Sequence, residues 1–342
     1  MNFSSDNAFG GSPEILAALS RANAGSAVSY GADAITARLA GKLSDIFERE
    51  VAIFPVATGT AANSLALATL CPPHGGVVCH AESHIVTDEC GAPEFFSGGA
   101  RLIALETPDA KLTADAVRAK LAKFRGDVHQ NLPSALSLTQ STELGTVYSC
   151  AQIAALSEIA RGRNMRVHMD GARFANALVH LGCSPAEMTW KAGIDVLSFG
   201  ATKNGALGAE CVIFFDPALA GDFAYRRKRA GHLFSKMRFL SAQLEAYLEN
   251  DLWLSNARKA NELARMLADG LAALPGVTLG HPAEANAVFA WLPRDMCAHL
   301  RKAGAMFYDW EQGSDGRVLV RLVCAFATPE EDVAKFIASA AA

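Results

Sequence analysis

The chain has 342 residues, 51% of them hydrophobic and 19% charged, enough for one large core and a second, smaller one. A formal net charge of −4 supplies no basic field for nucleic acid or an anionic membrane. Eight scattered cysteines without a C-x-x-C pair read as free thiols in a reducing compartment and lack the spacing of a zinc site.

Met1–Asp6 has neither a basic nor an apolar leader segment, and no apolar run approaches the roughly 20 residues of a membrane span, so a cytoplasmic protein is expected. Ser12-Pro13 opens a helix carrying Ile15, Leu16 and Leu19 on one face. A longer helix is predicted over Ala34–Glu48, then a strand at Val51–Phe54. Thr58-Gly-Thr-Ala-Ala-Asn63 follows and opens an apolar helix to Leu70. Gly59 and Thr60 at such a turn are able to hold a phosphate on backbone N–H groups, although small-residue turns of this kind also occur for structural reasons alone.

Further strands are predicted at 76–79, 102–105, 135–138, 166–169, 196–199 and 211–215, with helices between them such as 113–124, 150–161 and 173–181. Short apolar strands alternating with helices define an α/β protein whose sheet is largely parallel and covered on both faces. After Pro217 a helical stretch runs over 223–274, with breaks near Gly231 and Trp253. Strands at 277–279, 287–291 and 318–323 and helices at 293–302 and 329–340 complete a smaller α+β domain. The expected division is a large domain over 13–245 and a small one over 246–342, with residues 1–12 as an arm contributing to the active site.

Chemistry concentrates after the strands, where open α/β sheets bind ligands. His84 follows the second strand, as a ring to stack or shuttle protons or simply as a structural histidine. His168-Met-Asp-Gly-Ala-Arg173 puts Asp170 at a strand tip and Arg173 one turn on; the aspartate is equally a helix N-cap. Lys203, in Ser198-Phe-Gly-Ala-Thr-Lys-Asn-Gly205, is either a loop lysine or an amine kept neutral by crowding and a nearby cation. A Schiff-base lysine and an ionised aspartate for the pyridine nitrogen are the two groups pyridoxal phosphate requires. The basic run Arg226–Arg229 and Lys236-Met-Arg238 reads as a solvated helix face or as phosphate charge for a neighbouring subunit. Arg321, inside an apolar strand, needs either an edge position or an anion such as a substrate carboxylate. No early strand is followed by G-x-G-x-x-G, which excludes the usual nicotinamide site.

Taken together the chain resembles the low-specificity L-threonine aldolases, pyridoxal-phosphate enzymes of the aspartate-aminotransferase-like superfamily, and within them a bacterial subgroup that also acts on phenylserine. The resemblance rests on Ser5-Asp6, Tyr30-Gly-Ala-Asp33, Thr58–Asn63, His84 with Glu89, His168–Arg173, Thr202-Lys203, Met237-Arg238 and Arg321-Leu-Val323 in this order. It implies fold type I with a seven-stranded sheet, and retro-aldol cleavage of threonine, allo-threonine or phenylserine to glycine and an aldehyde. It implies a Schiff base on Lys203, Asp170 on the pyridine nitrogen and His84 stacked on the ring. Gly59 and Thr60 would bind the phosphate, with Lys228 and Arg238 reaching across a dimer interface. Ser5, Arg173 and Arg321 would hold the substrate carboxylate, Tyr30 would line the site, and the family's tetramer is two dimers that share active sites. The chain departs from the family in Gln140-Ser-Thr-Glu-Leu-Gly145, where Glu143 takes the place of a histidine, so the base is Glu143 or His84, directly or through water. Another pyridoxal-phosphate reaction on the same scaffold (β-elimination, racemisation or transamination) is the competing expectation.

Overall fold

A computed structural model describes all 342 residues. The large sheet contains β1 (Ala52–Val56), β2 (Gly75–His80), β3 (Arg101–Leu105), β4 (Leu132–Thr139), β5 (Arg166–Gly171), β6 (Val196–Gly200) and β7 (Glu210–Phe214), in spatial order β1-β7-β6-β5-β4-β2-β3. The pairs from β3 through β6 are parallel, whereas β7 runs antiparallel to both neighbours. The reversal has a simple cause: residues 201–209 hold only a short 3₁₀ turn, and a parallel return needs a crossover of about a dozen residues or more. That short connection carries Lys203.

In chain order the helices of this part are α1 (Pro13–Ala22), α2 (Ala34–Ile46), α3 (Gly59–Leu70), α4 (His84–Thr87), α5 (Ala92–Ser97), α6 (Ala114–Leu121), α7 (Cys150–Arg161), α8 (Phe174–Leu181), α9 (Pro185–Met188), α10 (Phe223–Arg229) and α11 (Arg238–Leu248). α3 is buried from Ala61 to Ala68, because alanines and a serine let its backbone lie close to the sheet. Its Ala62, Leu65 and Ala66 pack with Val56, Val196, Val212 and Phe214 of β1, β6 and β7. Helices on both faces explain why β2, β6 and β7 are buried along their whole length.

The smaller part adds α12 (Leu252–Ala272), β8 (Thr278–Leu279), β9 (Ala287–Pro293), α13 (Arg294–Lys302), β10 (Tyr308–Gln312), β11 (Arg317–Val323) and α14 (Glu330–Ala340). Its four-stranded antiparallel sheet has the order β10-β11-β9-β8. α12 joins the two cores: Trp253 and Ala257 belong to the large one, Leu263, Leu267 and Leu271 to the small one. A division at 245/246 falls within α11, whose Ala246, Tyr247 and Leu248 lie in the large core. The helical stretch over 223–274 is three helices, interrupted at 230–237 and 249–251. β10 escaped the sequence reading because all five of its residues are exposed on the sheet edge, so no burial pattern marks it.

The N-terminal arm is sewn into the small part. The Phe3 N–H donates to the Met306 carbonyl and the Val323 N–H to the Phe3 carbonyl, each at 2.9 Å. The Phe3 ring meets Phe336 edge-on at 5.2 Å. No helix is long and apolar enough to cross a membrane.

Candidate active site

The carboxyl ends of the parallel strands converge on one small cavity. Gly59, His84, Glu143, Asp170, Arg173 and Lys203 all line it, together with Asn63 and Ser141. Six residues chosen from the sequence as candidates are thus brought together by different strand ends.

Asp170 is the last residue but one of β5 and is buried. One carboxylate oxygen accepts the Ala172 N–H at 2.9 Å, and the other accepts an Asn63 amide hydrogen at 2.7 Å. The same Asn63 nitrogen donates to Glu89 at 2.8 Å, and Glu89 pairs with His84 Nδ1 at 2.9 Å. A continuous polar chain therefore runs from Asp170 through Asn63 and Glu89 to His84. The hydrogen bond to Glu89 raises the His84 pKa against the opposing effect of burial, and burial raises that of Glu89. Two residues before Asp170, His168 lies between the hydroxyls of Ser137 and Ser198, each at 2.9 Å. Burial pushes its pKa down to about 4, so it sits neutral beneath the site.

Lys203 lies in the short turn after β6 and is half-buried. Desolvation lowers its pKa, with Arg173 adding to the effect and Asp6, Asp170 and Glu210 opposing it. An amine whose pKa is lowered is the more competent nucleophile. The turn is fixed by Asn204, whose amide donates to Tyr247 Oη and the Trp253 carbonyl, both at 2.8 Å. Gly205 has φ 123°, and a Cβ there would meet Ser12 Oγ at 2.4 Å. Only glycine fits that position.

Glu143 accepts the His84 backbone N–H at 2.8 Å through one oxygen. Its other oxygen is buried in the cavity wall without a protein partner. Burial, reinforced by Asp170, pushes its carboxyl up to about 7.

Arg173 differs from expectation. Its guanidinium is already clasped by Asp6, Nε at 2.7 Å and Nη2 at 3.1 Å, and Asn286 donates to the same carboxylate at 3.1 Å. Burial opposes ionisation of Asp6, but Arg173, Lys203 and Asn286 together outweigh it and hold the carboxyl below its ordinary range. Arg173 is thus a guanidinium with one edge taken. Ser5 turns its hydroxyl to the Asn7 N–H at 3.1 Å and caps a 3₁₀ turn of the arm rather than lining the cavity. Arg321 lies between the rings of Tyr308 and Trp310, each at 5.3 Å, with a buried Nε that has no partner. Of the two arginines it is the freer anion receptor. Asp6→Ala strands the Arg173 charge and is expected to lower Tm markedly, since breaking a buried pair costs on the order of 3–5 kcal/mol. Thermal melts check this; an unchanged Tm refutes a stabilising clasp.

Thr60 stands beside Gly59 in the first turn of α3. Thr58 caps that helix by accepting the Ala61 N–H at 3.2 Å, and first-turn N–H groups have no intrahelical partner. The space around Gly59 is open, and the preceding Ala57 N–H is held by His232 Nδ1 at 3.3 Å. Tyr30, Lys228 and Arg238 are outside the cavity lining. Tyr30 is half exposed, with Lys228 Nζ 4.9 Å from its ring centre, and Arg238 has a buried Nε without a partner. The sequence reading assigned no role to Asp6, Asn63, Glu89 or Glu210. Glu210 had a signal, a charged residue opening a wholly apolar strand; Asp6 had none, since its partner is 167 positions away.

Three buried polar atoms of the cavity wall, Asn63 Oδ1, Ser141 Oγ and Glu143 Oε2, lack protein partners. Such atoms are rare in folded proteins and mark a polar guest. With an accessible helix N-terminus for a phosphate, a pinned carboxylate for a ring nitrogen and a half-buried amine, the donor set fits pyridoxal phosphate. Fold and site together fit a pyridoxal-phosphate-dependent enzyme of the α/β class.

Comparisons with known proteins give the family. The model of the beta-eliminating lyase family matches residues 2–294. The low-specificity L-threonine aldolase of Pseudomonas aeruginosa is 46% identical over 97% of this chain and 94% of its own length. That of a Pseudomonas species is 45% identical over 98% and 96%. Among solved structures, Leishmania major threonine aldolase superposes with a TM-score of 0.94 at 27% identity, covering 99% of this chain and 98% of its own. The chain belongs to the beta-eliminating lyase family, among the low-specificity L-threonine aldolases.

Proposed function

We propose that the protein cleaves L-threonine, L-allo-threonine and related β-hydroxy-α-amino acids such as phenylserine to glycine and an aldehyde, with pyridoxal 5'-phosphate held on Lys203. The observation that carries this reading is the convergence of Lys203, Asp170 and the unpartnered oxygen of Glu143 on one cavity. Bound pyridoxal phosphate supplies the electron sink that makes a bond at Cα labile. The protein supplies the rest. Asp170, fixed by Ala172 and Asn63, would hold a proton on the ring nitrogen. Gly59 and Thr60 at the α3 N-terminus would take the phosphate, and His84 would lie against the ring. Arg321, and the uncommitted edge of Arg173, bind the substrate carboxylate and so choose which bond at Cα is aligned for cleavage.

Glu143 takes the β-hydroxyl proton as the Cα–Cβ bond breaks, with His84 next to it as the alternative base. Because the Glu143 carboxyl ionises at about 7, the rate is expected to rise with pH through that region. Glu143→Gln should lower the retro-aldol rate by about 10²–10⁴-fold and flatten this limb. His84→Asn tests the alternative, and near-full rates in both variants would falsify both assignments.

Lys228 and Arg238, remote from the cavity lining within one chain, would add phosphate charge and Tyr30 would join the site in a dimer whose active sites are shared, two such dimers forming a tetramer. Sedimentation of the purified protein tests the assembly. Aldehyde release from L-threonine, L-allo-threonine and L-phenylserine, with equimolar glycine, tests the reaction. Bound cofactor without aldehyde moves the reading to β-elimination, racemisation or transamination.

A further inference from the structure

Glu210 is a buried acid that the mechanism above does not use. It opens β7, opposite Gly200 of β6 and opposite Val56 of β1. It therefore stands where the Lys203 turn and the Ala57–Thr60 turn leave the sheet. Val212 and Phe214, its alternating neighbours on the strand, pack against α3, so the Glu210 side chain shares the α3 face with them.

Its Oε2 accepts the Ala201 N–H at 3.0 Å. Thr202 Oγ1 accepts the Ala209 N–H at 3.2 Å and closes the same turn. The residue that leads into the Lys203 turn is thus tied to the Glu210 carboxyl group. No arginine or lysine forms a salt bridge with it, yet it is buried. Tying down one N–H needs only a neutral acceptor, and burying an ionisable group for that purpose is unfavourable. An ionisable side chain at this place therefore calls for a use, and the turn it ties down carries Lys203.

We infer that Glu210 is a positioning residue for Lys203: its carboxylate fixes the backbone entering the lysine turn through the Ala201 N–H and adds, beside Asp6 and Asp170, a counter-charge that raises the pH at which the lysine nitrogen loses its proton. Burial raises the Glu210 carboxyl to about 7, so the counter-charge is present on the alkaline side of neutrality. The ionisable groups facing it are Lys203 and Asp170, with Cys211 on its own strand and Tyr247 of α11. Cys211 and Tyr247 are both pushed upward by burial and stay neutral near pH 7, which leaves Lys203 and Asp170 as the charges that respond.

The inference rests on the cofactor part of the proposed function. Its test is a pH titration of the visible absorbance of the holoenzyme, which follows the proton on the lysine-bound nitrogen. Glutamine at 210 keeps a carbonyl to accept the Ala201 N–H and loses only the charge. Glu210→Gln is expected to lower the titration midpoint by about one pH unit, whereas Glu210→Asp, which keeps the charge, restores most of the shift. A folded Glu210→Gln holoenzyme with the wild-type midpoint overturns the inference and leaves the aldolase reading intact. A wild-type protein that takes up no pyridoxal phosphate overturns both. If Glu210→Gln does not fold, Glu210→Met, uncharged and close in volume, is titrated instead with the same expectation; failure of both to fold assigns Glu210 a structural role and overturns the inference.

Discussion

Lys203→Ala should give a folded protein without the visible band of lysine-bound cofactor and with retro-aldol turnover reduced on the order of 10⁴-fold or more, the scale of deleting a covalent nucleophile. The lysine is half-buried, and desolvation is the main cause of its lowered pKa. Alanine removes that desolvation penalty and leaves the anchors of the turn, Asn204 with Tyr247 and Trp253, in place. Thermal stability of the apoprotein is therefore expected to be kept. Absorbance, turnover and circular dichroism on the same preparation separate loss of chemistry from loss of fold. Retained turnover sinks the assignment.

Asp170→Asn is expected to lower turnover on the order of 10²–10³-fold while leaving the cofactor attached, because the attachment runs through Lys203. The substitution is nearly isosteric and keeps an acceptor for the Ala172 N–H. It removes the charge that holds a proton on the ring nitrogen. It also turns the contact with Asn63 into one amide facing another, so the chain to Glu89 and His84 loses its anionic end. The expected sign is a large fall in kcat with little change in KM. A variant with wild-type kcat removes Asp170 from the ring nitrogen.

Much of this site was legible in the sequence because strand–helix alternation places chemistry by rule. Once the strands before Gly59, His84, Glu143, Asp170 and Lys203 are recognised, a parallel sheet brings their carboxyl ends to one edge. The antiparallel return of β7 was hidden, since an apolar strand reads alike in either direction. β10 was hidden for the opposite reason, having no buried residue to give it a period. The Arg173–Asp6 clasp could not be read at all: local pattern reports which side chains are buried, never which distant partner they meet. Asn63 and Glu89 were visible as letters of a motif, but their bridge between Asp170 and His84 exists only after α3 is laid on the sheet. The split of α12 between two cores follows from packing on both sides, and its continuous helical period gave no sign of it.

The first six residues act as a mechanical strap. Phe3 is bolted into the small core beside Phe336, and Asp6 is bolted to Arg173 at the end of β5, with only Ser4 and Ser5 between the two fastenings. Any swing of the small part against the large sheet must therefore stretch this strap or carry Arg173 with it. The guanidinium thereby registers, inside the cavity, the position of the small part.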